Sequence, residues 1–442
     1  MFKHRLYLLP VILLLLAGCR QSSTVNITVL HDPLLYNRTV KHLTDVLVHD
    51  IFSPPVASRI YAYSTIAGYE VIAHSGQGYH SLAGQLRGLK VTPAPADTAM
   101  IDFPFAAMIA LSTTGKAFVF SEDSMQLVID SLQLIARQAG LPQEKLQASV
   151  TYGQQMAKAI IDWSKGDNYA QTRSAVKYTV TNEEGRWSPT PPAYMAAIEP
   201  HWAEMRPMLL DSANQFMAAR PPAFNMKDSN TVFYKMVKEI QAIGNTLTEE
   251  QRSIADFWDC NPYKVNLSGH VSFATKKITP GGHWISICGI AAAGAGADVN
   301  KTACTYAKVS IAMMDAFIVC WDEKFRSNLI RPETVINKYW DAGWKPYLQT
   351  PPFPEYTSGH SVVSTACATV LTQLLGNSLT FKDDTETEFG LPVRSFASFM
   401  AACNEAAVSR MYGGIHFRPA VENGMVQGRQ VGELAIRKLK ME

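Results

Sequence analysis

Apolar residues recur every three to four positions over most of the chain, and strict alternation is scarce. That periodicity predicts helices rather than strands. The segment 56–73 places Ile60, Tyr63, Ala67 and Val71 on one face, and Pro54-Pro55 just ahead of it is suited to open a helix. Segments 99–113, 122–139 and 143–163 follow the same period, with Gly140 and Pro142 marking a stop and a restart. Further helices are expected over 228–243 and 247–258. The clearest stripe lies in 302–325, where Ala303, Ala307, Ile311, Met314 and Ile318 share a face. Helices over 359–375, 392–411 and 418–439 complete the pattern.

Two stretches break it. Residues 164–230 hold Pro189, Pro191, Pro192, Pro200, Pro207, Pro221 and Pro222, punctuated by Trp187, Tyr194 and Trp202. Aromatic residues are rare in flexible linkers, so this stretch reads as an ordered, irregular wrap. The second, 259–300, is rich in glycine and carries His270 and His283. No internal repeat or low-complexity tract is present. The expected fold is all-α, with a helical bundle at the C-terminal end. The expected organisation is a leader over 1–18, a tether over 19–35, an N-terminal helical region over 36–227 and a C-terminal helical domain over 228–442.

The leader reading rests on Lys3-His4-Arg5, an apolar run from Leu6 to Leu16, and Leu16-Ala17-Gly18-Cys19. A basic start, a short apolar core and small residues before a cleavage point form a secretory signal. Leu-Ala-Gly-Cys resembles a bacterial lipobox, which implies acylation of Cys19 and an exported, lipid-tethered protein, periplasmic or anchored at the outer membrane. The chain has 442 residues, 40 Lys plus Arg against 38 Asp plus Glu, and without Lys3 and Arg5 the two signs balance at 38 each. A neutral chain with no basic run argues against nucleic-acid binding and against a polybasic membrane surface. Composition is ordinary for a globular chain, 47% hydrophobic and 18% charged. Six cysteines follow Cys19, none in C-x-x-C spacing. Cys304, Cys320, Cys367 and Cys403 fall in apolar helical patterns that suit buried thiols. Cys260 and Cys288, in the glycine-rich stretch, are the pair best placed for a disulfide. No zinc or calcium spacing of His, Cys and carboxylates is evident.

Three clusters carry chemistry. The first runs from Lys324 to Arg331-Pro332 at the end of a periodic helix, where two cations seven residues apart would share a face. On spacing alone a solvated basic helix end accounts for it better. The second is Pro354-Glu355-Tyr356-Thr357-Ser358-Gly359-His360, leading into a helix. A hydroxyl, an approachable backbone N–H and an imidazole at a helix start make an oxyanion cradle, or a simple N-cap. The third is Ser409-Arg410-Met411-Tyr412-Gly413-Gly414-Ile415-His416. Alone it reads as a glycine-terminated helix followed by a histidine.

Taken in order, K-x6-R-P, S-G-H and S-R-x5-H resemble the superfamily that joins phosphatidic acid phosphatase type 2 enzymes with vanadium-dependent haloperoxidases. The resemblance covers roughly residues 250–440. It implies that Lys324, Arg331, Ser358, Gly359 and Arg410 cage a phosphate or vanadate, with His416 bonded to its central atom as nucleophile or as vanadium ligand. It implies that His360 acts as acid–base. The N-terminal half is similar to the extra helical half of soluble haloperoxidases and shows no chemistry of its own. The Phe257-Trp258-Asp259 stretch also resembles bacterial haloperoxidase-like proteins. His270 and His283 are candidates for the pocket mouth, although a structural role accounts better for each of these residues singly.

Trp321 and Phe353 occupy positions where fungal-type chloroperoxidases carry aromatics beside vanadate and halide, and the string Pro351 to Tyr356 is similar to that group. An aromatic wall lowers the local dielectric and shelters a polarisable halide, although bundle core explains both residues as well. One departure stands out: much of the superfamily has an Asp four residues after the third-cluster histidine, and this chain has Ala420. Glu405, Glu422, Asn423 and a backbone carbonyl are the candidates to orient His416. Three functions follow: a vanadate-dependent haloperoxidase using hydrogen peroxide and halide, an acid-type phosphatase of the same pocket needing no cofactor, and a lipid-anchored oxyanion binder without turnover.

Overall fold

The computed structural model describes residues 26–442 apart from 182, 269, 270 and 275, and over 265–275 it describes no side chains. The leader, Cys19 and His270 therefore lie outside the described residues.

The architecture is helical, as the periodicity predicts. A 3-10 turn at Ile27–His31 precedes α1 (Pro33–His49), so helical structure begins inside the stretch read as a tether, and Leu30 is fully buried. α2 (Pro54–Ala73) is capped by the Ser53 hydroxyl, with Pro54-Pro55 in its first turn as expected. α3 (Phe103–Lys116), α4 (Glu122–Gln138) and α5 (Gln143–Ser164) follow, with Gly140 at φ +82° between the last two. The proline-rich wrap is irregular but tightly packed. It holds only α6 (Tyr169–Ser174) and a 3-10 turn at Trp202–Glu204, while Trp187 and Trp202 are buried. α7 (Val232–Asn245) and α8 (Glu249–Phe257) start on Thr231 and on a Thr248–Gln251 capping box.

The glycine-rich stretch differs from expectation. A hairpin of β1 (Val265–Ser268) and β2 (Val271–Ala274) leads into α9 (Pro280–Gly294). α9 is buried on nearly every side, so it has no polar face and leaves no amphipathic stripe. α10 (Val299–Ser327) and α11 (Pro332–Tyr339) come next, then α12 (Gly359–Leu375). The expected helix over 392–411 begins only at α13 (Phe399–Tyr412), because Arg394–Phe396 forms β4 against β3 (Phe381–Asp383). α14 (Arg418–Lys438) closes the chain.

α10 is the central post. It packs against α1, α2, α9, α12 and α14, and one apolar core runs from Leu30 through α2, α3 and α10 to Met441. Asp315 on α10 accepts hydrogen bonds from the backbone N–H groups of Met208, Leu209 and Leu210 at 2.7, 2.8 and 3.2 Å, which ties the wrap to the core. α14 lies against α12 through Gly424, Gly428 and Gly432, one turn apart. A Cβ on Gly428 would stand 2.1 Å from the carbonyl oxygen of Val362. All six cysteines among the described residues are buried free thiols. The expected Cys260–Cys288 disulfide is therefore absent. Cys260 turns toward His283 on the first turn of α9, and Cys288, five residues further, faces about 140° away from that residue.

Candidate active site

The three clusters meet where α10, α12 and α13 end or begin. Lys324 lies in the last turn of α10, but Arg331 does not share its helical face. Asn328 adopts the left-handed conformation at φ 48°, which asparagine tolerates, and the helix stops at Ser327. Arg331 is instead the residue before α11, with Pro332 opening that helix. Both cations still converge on the same loop. The Lys324 ammonium donates to the carbonyls of Pro354, Glu355 and Thr357 at 3.0, 3.1 and 2.5 Å. Arg331 donates from Nε to the Phe353 carbonyl at 2.9 Å and from Nη1 to that of Ile415 at 2.8 Å.

Ser358 caps α12 and its hydroxyl accepts from the Ser361 N–H. Gly359 and His360 supply the first N–H groups of the helix, where no carbonyl lies one turn back. Arg410 sits in the last turn of α13 and donates from Nη1 to the Trp258 carbonyl at 2.7 Å. Gly413 and Gly414, the latter at φ +73°, turn the chain so that His416 faces back into the cluster.

The Ala420 question resolves to a residue outside the expected candidates. Glu355 Oε1 is 3.0 Å from His416 Nδ1 and accepts the Phe417 N–H at 2.8 Å. Glu405 is engaged by Arg394 and the Trp258 indole, and Glu422 lies on the surface beside Arg418. The Ala420 carbonyl instead accepts the Ser358 N–H at 3.0 Å. Glu355 stands within the second cluster, so its motif was visible; its partner is 61 residues away, so its role was not.

With Nδ1 facing a carboxylate, His416 directs Nε2 toward Arg331 Nη1, 3.2 Å away. A narrow cavity of about 30 Å³ opens beside it, lined by Trp321, Phe353, Gly359, His360, Arg410 and His416 among others. Pro54, Cys260 and Tyr263 reach it too, and none of these was foreseen in that place. Trp321 and Phe353 lie 5.0 Å apart between ring centroids, and the Phe353 ring lies 5.0 Å from the Lys324 ammonium. The Trp321 indole donates to the Ile198 carbonyl, so the wrap holds the aromatic wall in place. His283 is fully buried and does not line this cavity.

Burial dominates the electrostatics. It pushes Lys324 down to about 7 and Arg331 down to about 9, and it lowers Arg410. It also pushes Glu355 up to about 7, with Arg331 pulling the other way. His416 and His360 are held well below the usual imidazole range by burial and by neighbouring cations, so both rings are neutral at pH 7. Several buried polar atoms are left without a partner: Arg331 Nη2, Arg410 Nε, His360 Nε2 and Glu355 Oε2. Unpaired donors in a buried cluster of cations are the complement of a bound anion.

Comparison with known proteins places this arrangement. A structure described as the first bacterial vanadium-dependent iodoperoxidase is 50% identical, with a TM-score of 0.87 over 93% of this chain and 97% of that one. The chain belongs to the bacterial vanadium-dependent haloperoxidase family. Within the haloperoxidase, residues 305–441 match the family described as the VCPO second helical-bundle domain. Holo- and apo-type structures of a bacterial vanadium-dependent chloroperoxidase share the fold at a TM-score of 0.65 each, with 17% and 18% identity. The alignments cover 88% and 87% of this chain and 93% and 94% of theirs. Among curated proteins, none matches.

Proposed function

We propose that this haloperoxidase holds vanadate in the His416 cavity and oxidises iodide with hydrogen peroxide. The observation that carries the reading is the Glu355–His416 contact. A carboxylate on Nδ1 fixes the neutral tautomer whose Nε2 lone pair faces the cluster of unpaired donors. That donor set fits a tetrahedral oxyanion: Arg331 Nη2 and Arg410 Nε would bind oxygens, with the Gly359 N–H at the helix N-terminus. His416 Nε2 would ligate the metal. When bound, vanadate supplies the Lewis acid that activates peroxide toward halide.

The remaining roles belong to the chain. Lys324 spends its N–H groups on the 354–357 backbone and holds the loop that carries Glu355 and Ser358, while its charge still favours an anion nearby. Ser358 caps α12 and so aims the Gly359 N–H. His360, neutral and with Nε2 unpaired, is placed to take up and return a proton at that atom. Trp321 and Phe353 exclude water from the side where a polarisable halide would approach. Iodide is favoured over the other halides because the 50% identical relative is described as an iodoperoxidase.

The test is iodide and bromide oxidation by the soluble protein in phosphate-free buffer, before and after orthovanadate. Activity that appears only with vanadate, and disappears in His416→Ala, is expected. Phosphoester hydrolysis inhibited by vanadate, without halide oxidation, would overturn the reading. We also propose export and tethering through acylated Cys19, which rests on the leader sequence. Fatty-acid labelling that persists in Cys19→Ala would remove that part.

A further inference from the structure

A second cluster lies behind the cavity wall. Cys260 follows α8, His283 sits in the first turn of α9, and Glu386 lies between β3 and β4. All three are buried, and their ligand atoms face one another. Cys260 Sγ is 3.5 Å from His283 Nδ1 and 3.9 Å from Glu386 Oε1, and His283 Nδ1 is 3.1 Å from Glu386 Oε1. We infer that these three side chains form a binding site for a zinc ion, distinct from the oxyanion cluster and adjoining its cavity through Cys260.

The spacing is close to what zinc needs. With zinc bonds of about 2.3 Å to sulfur and about 2.0 Å to nitrogen or oxygen, tetrahedral edges come to about 3.3–3.5 Å, against 3.5, 3.9 and 3.1 Å here, so the ligand atoms would shift by a few tenths of an ångström on binding. The surroundings match as well. His283 Nε2 is 2.8 Å from Asp383 Oδ2, the carboxylate–histidine arrangement that turns the opposite ring nitrogen toward a metal. Trp258 stacks on the His283 ring at 4.5 Å, and Phe257 meets it edge-on at 5.3 Å, so the imidazole cannot swing away. A thiolate, an imidazole and one carboxylate suit zinc better than calcium or magnesium, which demand more oxygen ligands. Without a metal, the Cys260 thiol has one proton and only long contacts to use it on. Binding releases that proton and the one on His283 Nδ1. The ion would join α8, α9 and the β3–β4 connection behind Cys260, which itself lines the oxyanion cavity. The ligands are 23 and 103 residues apart, so no sequence spacing announces them.

Cobalt reports the site directly. The full chain, stripped with a chelator, is titrated with Co²⁺ and then with Zn²⁺. A single four-coordinate cobalt per chain is expected, a water completing the three protein ligands, with a near-ultraviolet thiolate charge-transfer band that zinc bleaches. Cys260→Ser should abolish that band, Glu386→Gln should weaken affinity, and Cys403→Ser should leave the band unchanged. No charge-transfer band in the wild-type chain, or a band that survives Cys260→Ser, overturns the proposal. If Cys260→Ser fails to fold, X-ray absorption of the zinc-loaded wild type decides: a sulfur at about 2.3 Å supports the site, and an all-nitrogen/oxygen shell refutes it.

Discussion

Glu355→Gln is the sharpest test of how His416 is held. In the native chain one carboxylate oxygen serves two buried partners, His416 Nδ1 at 3.0 Å and the Phe417 N–H at 2.8 Å. A glutamine oxygen can take the same place but without charge. Hydrogen bonds to an ionised group contribute about 1.5–3 kcal/mol and neutral ones about 1, so two weakened bonds lose about 2 kcal/mol. That corresponds to roughly 30-fold in affinity, within the 10–100-fold typical when a partner behind a metal ligand is removed. The assay is the orthovanadate dissociation constant from reconstitution of peroxidase activity, read beside kcat at saturating vanadate. Because burial raises the Glu355 carboxyl to about 7, the native residue is itself largely neutral below that pH. The defect should therefore shrink below about 7 and be full above it. A variant whose vanadate affinity equals the native value above that pH would refute Glu355 as the positioning residue.

Four further outcomes follow. Lys324, pushed down to about 7, loses its charge and Glu355, pushed up to about 7, gains one as pH rises through that value, so oxyanion affinity should fall; calorimetric titration with sulfate, whose charge is constant across that range, checks it, and Lys324→Gln should lessen the fall. Gly428→Ala drives a Cβ into the Val362 carbonyl at 2.1 Å and should lower stability by about 1–3 kcal/mol, seen as a reduced Tm. Gly294→Ala, at the end of α9 with nothing within 4 Å of the new Cβ, should leave Tm unchanged or slightly raised. Asp315→Ala strands three buried N–H groups of the wrap and should cost about 3 kcal/mol or more, with early proteolysis near residues 206–211 as the readout.

The sequence was informative wherever one face of a helix met water. α4, α5 and α14 begin or end within a few residues of their expected limits because their apolar stripes alternate with polar ones. α9 escaped because burial on nearly all sides removes that contrast and its glycines at 281, 282, 289 and 294 read as irregular chain. The motif order located the cavity, since each cluster is local: a helix end, a helix start, a glycine turn. What stayed hidden was pairing across the fold. Glu355 and His416, Trp321 and Ile198, and the Cys260 cluster are contacts between segments whose separation carries no periodic signal. Arg331 leaves the Lys324 face for a different reason: a single left-handed asparagine, Asn328, ends α10 at Ser327.

α10 has the length and apolar composition to cross a membrane, yet its most apolar window is buried inside the protein. α1 and α2 of the N-terminal half, together with α9, α12 and α14, surround it. In effect the chain carries its own hydrocarbon phase. The N-terminal helices supply to α10 what acyl tails would supply to a spanning segment, and they do so without bearing a catalytic group. Cutting them away would leave a greasy post in water, so residues 228–442 expressed alone should aggregate rather than fold as a smaller enzyme.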